Sequence, residues 1–149
     1  ATSLQFIGCA SNTTSAANTE QYTPGLGEIM TLSAMRHAKL WFAGQAENWQ
    51  LADYELEELH EGMEDAAKFH PNHKSVSVPI PTLIAATMDK PLAALTASVK
   101  AKDLIGFNKN FDAVTEGCNT CHKTSDFGFN VVVRPTFNPF ANQAFTPNR

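Results

Sequence analysis

Residues 104–122 read LIGFNKNFDAVTEGCNTCH. Apolar, cysteine and histidine side chains recur in this stretch at steps of three and four, at Leu104, Phe107, Phe111, Val114, Cys118, Cys121 and His122. This spacing is typical of one face of an amphipathic α-helix. We therefore predict a helix over roughly residues 103–125, with two cysteines and a histidine at the end of its core-facing side.

Three further stretches repeat this period and predict helices over roughly residues 26–44, 49–70 and 81–100. Acidic side chains of the second helix, Glu55 among them, are expected on a solvated face. Pro91 lies inside the third helix, so we expect a kink there, or two shorter helices. No alternating strand pattern competes in this part of the chain. Four amphipathic helices with short connections predict an all-α fold, an antiparallel four-helix bundle.

The two ends of the chain differ from its helical middle. Residues 1–24, rich in Ser, Thr, Asn and Ala, predict a flexible N-terminal arm. Residues 127–149, here called the C-terminal tail, carry five of the ten phenylalanines and are expected to pack, without regular structure, on the bundle or a partner subunit. The bundle is therefore assigned to residues 25–126. Cys9 is interpreted as a free thiol of the arm, although FIGC loosely resembles a bacterial lipoprotein box, and a lipid anchor would tether the protein to a membrane.

Composition narrows the function classes. With 149 residues, 43% of them hydrophobic and 17% charged, the chain predicts one globular domain. A net charge of -4 argues against nucleic acid and anionic membrane surfaces as partners. No apolar run has the length of a transmembrane helix. Nothing resembles a Ser-His-Asp triad, a phosphate-binding glycine loop or a pair of catalytic carboxylates, so we do not expect an enzyme.

The chemistry is concentrated in CNTCH at residues 118–122, which is the C-x-x-C-H attachment motif of c-type haem. At this spacing the two thiols can form thioethers with the two vinyl groups of one porphyrin, and His122 follows directly as the proximal iron ligand. A thioredoxin-like redox pair would need a βαβ context, which the pattern lacks. A structural zinc site would need two more ligands, which only His70 and His73 offer. The predicted cofactor is one covalent haem c.

A four-helix bundle with a single haem motif near the end of its last helix resembles the class II cytochromes c. This family contains the cytochromes c′ and their low-spin, Met-ligated relatives. The resemblance covers roughly residues 24–125 and rests on helix order, on the position of Cys118, Cys121 and His122, and on a loop like residues 44–46 after the first helix. It implies a bacterial periplasmic protein, with homodimerisation through the first two helices left open. The tail after the motif is a departure from the family.

The residue opposite His122 on the iron decides between two functions. In an antiparallel bundle the first turns of the first helix lie beside the end of the last, which makes Met30 the expected distal ligand. By the resemblance, Met ligation implies a low-spin, six-coordinate electron carrier that serves redox partner proteins. An open site would instead imply a five-coordinate protein that binds nitric oxide or carbon monoxide. His37 and Met35 are alternative ligands, and a peroxidase-like role would need His37 above the iron. Phe107 and Phe111 are expected to line the haem pocket or the core below it.

Overall fold

A computed structural model describes residues 22–73 and 76–147, and these residues form four α-helices and no strand. The helices are α1 (Leu26–Gln45), α2 (Trp49–Phe69), α3 (Ile80–Ala101) and α4 (Leu104–Thr124). Every boundary lies within one residue of the predicted one. The prediction of an all-α four-helix bundle is confirmed. Most of the predicted N-terminal arm, with Cys9, lies outside the described residues.

Side-chain caps set where two of the helices begin. Asn48 accepts a hydrogen bond from the backbone N–H of Leu51 at the start of α2. The Asp103 carboxylate accepts from the N–H groups of Ile105 and Gly106 at the start of α4. Caps of this kind supply acceptors for first-turn N–H groups that have no partner within the helix. They allow the chain to turn within a few residues and so favour antiparallel neighbours.

The helices pack in sequence order. α1 packs along α2, α2 along α3 and α3 along α4, whereas α1 and α4 meet at few points. The start of α1 and the end of α4 lie at the same end of the bundle, where both line one cavity. The core further along the bundle is made of fully buried apolar side chains, with Leu40, Leu59, Leu95 and Phe107 among the largest. None of the four helices in the described residues is both long and apolar enough to cross a membrane.

Helix α3 runs through Pro91 without interruption, so the alternative of two shorter helices is wrong. Proline has no N–H, and the carbonyl of Thr87 therefore lacks its usual donor within the helix. Helix α4 approaches α3 closely at this point. A Cβ placed on Gly117 would lie 2.6 Å from the Thr87 carbonyl oxygen and 2.8 Å from the sulfur of Met88. The residue before Cys118 is thus a glycine because the two helices nearly touch there.

The position of Glu55 corrects the sequence prediction. Its side chain is only 1% exposed, although the acidic run of α2 was expected to face solvent. Arg36 of α1 lies 3.0 Å from the Glu55 carboxylate and 2.8 Å from that of Glu58. A buried carboxylate needs a charged partner, and the sequence pattern of α2 alone does not show that α1 supplies one.

The C-terminal tail crosses from α4 to α1. Its residue Arg134 pairs with Asp112 of α4 and lies 4.4 Å from the ring centroid of Trp41 in α1. Phe145 is 7% exposed and packs in the hydrophobic core, 5.6 Å from the Phe42 ring of α1. By contrast, Phe129 and Phe137 are 82% and 73% exposed. The described part of the tail therefore bridges the two helices that otherwise meet at few points.

Candidate functional site

A cavity of about 570 Å³ lies where α1 begins and α4 ends. This volume is within the usual range of small-molecule and cofactor sites. All four helices and the tail contribute to its mostly apolar wall, and the residues used below are Met30, Met63, Met88, Cys118, Cys121 and His122. The structure therefore brings both cysteines and the histidine of the C-x-x-C-H motif to one cavity.

The two motif cysteines are neutral, free thiols. Burial raises the pKa of Cys118 to about 11, and the neighbouring Cys121 adds to the rise. Burial also raises the pKa of Cys121, although hydrogen bonds with Ser125 and Thr87 partly oppose it. Redox-active dithiols need a lowered thiol pKa because the thiolate is the attacking species. The surroundings of Cys118 and Cys121 therefore do not favour disulfide exchange.

His122 is oriented by a hydrogen bond to the tail. Its Nδ1 lies 2.7 Å from the backbone carbonyl oxygen of Asn130. A carbonyl can only accept, so Nδ1 carries the proton and, in the neutral ring, Nε2 carries the lone pair. Histidines that bind metals usually donate their other ring N–H to a carbonyl or carboxylate in this way. The arrangement suits His122 as an iron ligand through Nε2.

Met30 is the candidate distal ligand that lines the cavity. It is half-buried in the first turns of α1 and packs against the edge of the core. Met35 is also half-buried but does not line the cavity. His37 is 3% exposed, lies further along α1 and does not line the cavity either. Of the three distal candidates considered from the sequence, only Met30 shares the cavity with His122.

The imidazole of His37 is engaged in the core. Its Nε2 lies 2.8 Å from the hydroxyl oxygen of Thr115 in α4, and its ring packs 4.4 Å from the ring of Phe111. Burial lowers the pKa of His37 to about 4, so the ring is neutral at neutral pH. A neutral, hydrogen-bonded core histidine explains this position without a role as a metal ligand.

Phe107 and Phe111 are fully buried and are not among the residues that line the cavity. Their ring centroids lie 5.9 Å apart, and that of Phe111 is 4.9 Å from the indole of Trp41. These rings form the aromatic core that continues from the cavity along the bundle. Of the two places expected for Phe107 and Phe111, the structure puts them in the core.

The sequence did not place several of the lining residues at the predicted haem site. Met63 and Met88 face the cavity from α2 and α3, and their helical stripes together with the antiparallel order could have identified them. His73 and Phe127 also line it, with ring centroids 6.2 Å apart. His73 lies between α2 and α3, and Phe127 lies at the start of the tail. Neither segment carries a periodic signal, so the sequence pattern could not place these two residues.

Among residues 22–73 and 76–147, no group of three or more His, Cys, Asp or Glu side chains is arranged to hold a metal ion. A haem iron does not need such a group because the porphyrin supplies its equatorial ligands and the protein only the axial ones. No family model, curated protein or solved structure matches the chain. The resemblance to class II cytochromes c therefore stays a prediction.

Proposed function

We propose that the protein is a mono-haem c-type cytochrome that carries one electron between redox partner proteins in a bacterial periplasm. One observation carries the proposal, which is that Cys118, Cys121 and His122 all line a single apolar cavity of about 570 Å³. The four-helix bundle agrees with the class II cytochrome c resemblance.

The motif residues fit a haem in three respects. Cys118 and Cys121 lie one turn apart on α4 and line the same cavity, so both thiols can serve one porphyrin. Each S–H would add across one vinyl group, sulfur to one carbon and hydrogen to the other, and no oxidant is required. His122 has its Nδ1–H engaged by a carbonyl and offers Nε2 to the iron. A haem bound here would supply a one-electron Fe(III)/Fe(II) couple.

Met30 is proposed as the distal ligand. Met63 and Met88 also line the cavity, but they are 7% and 1% exposed and belong to the core cluster. Met30 only packs against that cluster and projects from α1, the helix that meets α4 at few points. A thioether ligand stabilises Fe(II) and raises the reduction potential, which suits an electron carrier.

Optical spectra of the mature protein test this function. The full chain would be produced with the haem-attachment machinery, its mass measured for one covalent haem, and spectra recorded in both oxidation states with and without carbon monoxide. We expect low-spin iron in both states and no rapid carbon monoxide binding. High-spin ferric iron with ready carbon monoxide binding would contradict Met ligation and favour the five-coordinate, gas-binding alternative. A chain that takes up no covalent haem would contradict the proposal as a whole.

Substitution Met30→Ala tests the distal ligand directly. Loss of the thioether should convert the ferric iron to high spin, allow carbon monoxide to bind and lower the reduction potential. Met35→Ala is the matched control, since Met35 is a half-buried methionine of the same helix outside the cavity lining. Its spectrum should match the wild type. A low-spin spectrum in Met30→Ala would assign the sixth position to another residue.

A further inference from the structure

An asparagine inside the C-x-x-C-H motif binds the C-terminal tail through two hydrogen bonds. The side-chain amide Nδ2 of Asn119 donates to the carbonyl oxygen of Val132 at 2.9 Å, and Oδ1 of Asn119 accepts from the Val132 N–H at 2.8 Å. The Asn119 side chain thus binds both backbone polar groups of Val132. Asparagine is a poor residue for a helix interior, and these two hydrogen bonds give Asn119 a tertiary role there.

The same stretch of tail holds His122. Asn130, two residues before Val132, accepts the hydrogen bond from Nδ1 of His122 at 2.7 Å. Asn119 and His122 are three residues apart on α4, so their side chains lie on the same side of the helix. The chain turns from the end of α4 into the tail through two backbone hydrogen bonds. The Phe127 N–H donates to the His122 carbonyl and the Asn130 N–H to the Phe127 carbonyl, both at 2.8 Å.

We propose that Asn119 is a positioning residue for His122. By holding Val132 against α4, it keeps the Asn130 carbonyl on Nδ1 of His122, which fixes the tautomer and orientation of the imidazole. A carbonyl acceptor on Nδ1 also makes the ring a more basic ligand through Nε2, which favours Fe(III). This last consequence rests on the proposed haem function, whereas the tautomer is a property of the chain itself.

The first test does not need a haem. Nitrogen NMR of the full-length chain at mildly alkaline pH reports which ring nitrogen of His122 carries the proton. The wild type should show the Nδ1–H form, whereas Asn119→Ala should show a mixture of tautomers. Hydrogen exchange at the Val132 amide should become roughly tenfold faster, as expected for the loss of a hydrogen bond.

Asn110→Ala is the matched control. Asn110 is also an asparagine of α4 and also makes two hydrogen bonds, to the Ala94 carbonyl at 3.1 Å and to the Ser98 hydroxyl at 2.8 Å. Its replacement should lower stability and leave the His122 tautomer unchanged. The positioning role is overturned if Asn119→Ala keeps the Nδ1–H form, or if Asn110→Ala loses it to the same extent.

A second pair of variants covers the case in which Asn119→Ala does not fold. Val132→Pro removes the backbone N–H that donates to Oδ1 of Asn119, and it leaves the sequence of α4 unchanged. Val133→Pro is its control, since Val133 is 66% exposed and makes no bond to Asn119. Only Val132→Pro should disturb the His122 tautomer. Equal effects of the two prolines would contradict the proposal.

The second test uses the haem-bound protein. Asn119→Ala should raise the reduction potential by about 59 mV, which corresponds to a tenfold change in the ratio of oxidised to reduced protein. Asn110→Ala should leave the potential unchanged. A chain without covalent haem would contradict the proposed function, yet the tautomer test would still decide the role of Asn119. If the mature protein carries haem but Asn119→Ala leaves the tautomer of the haem-free chain unchanged, the positioning role alone is overturned.

Discussion

At the scale of single residues, a buried hydrogen bond between His37 and Thr115 joins α1 to α4 beneath the cavity. The hydroxyl of Thr115 donates to the Phe111 carbonyl at 3.0 Å, so its oxygen accepts from the Nε2–H of His37. His37 is therefore stable only as a neutral ring, because a second ring proton would place a positive charge in the core, where the side chain is 3% exposed.

His37 should make folding stability depend on pH. Burial lowers its pKa from 6.5 to about 4, so the unfolded chain binds the proton more tightly than the folded one. The free energy of unfolding is therefore highest above pH 6.5, where His37 is neutral in both states. As the pH falls toward 4, it decreases by about 3 kcal/mol because the unfolded chain takes up the proton first. The measurement is the free energy of unfolding by denaturant across this range, for the wild type and His37→Gln.

Because the glutamine variant has no titrating group at this position, it should lose about 3 kcal/mol less than the wild type between pH 7 and pH 4. Its amide can still donate to Thr115, which makes it a fair control for packing. Parallel pH curves for the two proteins would show that His37 is not the group responsible.

Local patterns were enough to predict that the motif residues and Met30 lie at the same end of the bundle, where they line one cavity. Cys118, Cys121 and His122 are adjacent in sequence, and the helical period with the antiparallel order placed Met30 at the same end of the bundle. The partners of His37 and Asn119 could not be found in this way. Each lies in a distant segment, either across the bundle or in the irregular tail, where no period relates one residue to another.

At the scale of elements, the approach of α3 to α4 depends on a proline and a glycine. Pro91 leaves the Thr87 carbonyl without its usual helical donor, and Gly117 brings the backbone of α4 against that carbonyl. The helix limits followed from the apolar period of the sequence. The unbroken course of α3 and the burial of Glu55 did not, because both depend on what a neighbouring helix presents.

Substitution Gly117→Ala should destabilise the bundle. The new Cβ would lie 2.6 Å from the Thr87 carbonyl oxygen, which is backbone and cannot rotate away, so α3 and α4 must separate. We expect a loss of about 1–3 kcal/mol in the free energy of unfolding, measured by denaturant titration. In the control Gly27→Ala on α1, the Cβ meets nothing within 4 Å, and a gain of up to about 1 kcal/mol is expected. Similar changes in the two variants would refute a packing role for Gly117.

At the scale of the whole molecule, the C-terminal tail completes the bundle. Between α1 and α4 it supplies Arg134, which contacts Asp112 and Trp41, and Phe145, which packs on Phe42. The exposed ion pair contributes little, because its two side chains are 44% and 55% exposed. Burial of Phe145 should therefore dominate the attachment of the tail.

Replacing Phe145 with alanine should cost about 3 kcal/mol of unfolding free energy, because the 7%-exposed ring would leave a void in the core beside Phe42. Phe137→Ala changes the same residue type in the same tail, but Phe137 is 73% exposed, and the change should stay within about 0.5 kcal/mol. Denaturant unfolding of both variants makes the comparison. If both variants lower the free energy of unfolding by the same small amount, the tail does not unfold together with the bundle. The tail would then hold His122 only through the contacts at residues 130–132. A large loss confined to Phe145→Ala would instead make the tail part of the cooperative core that supports the cavity.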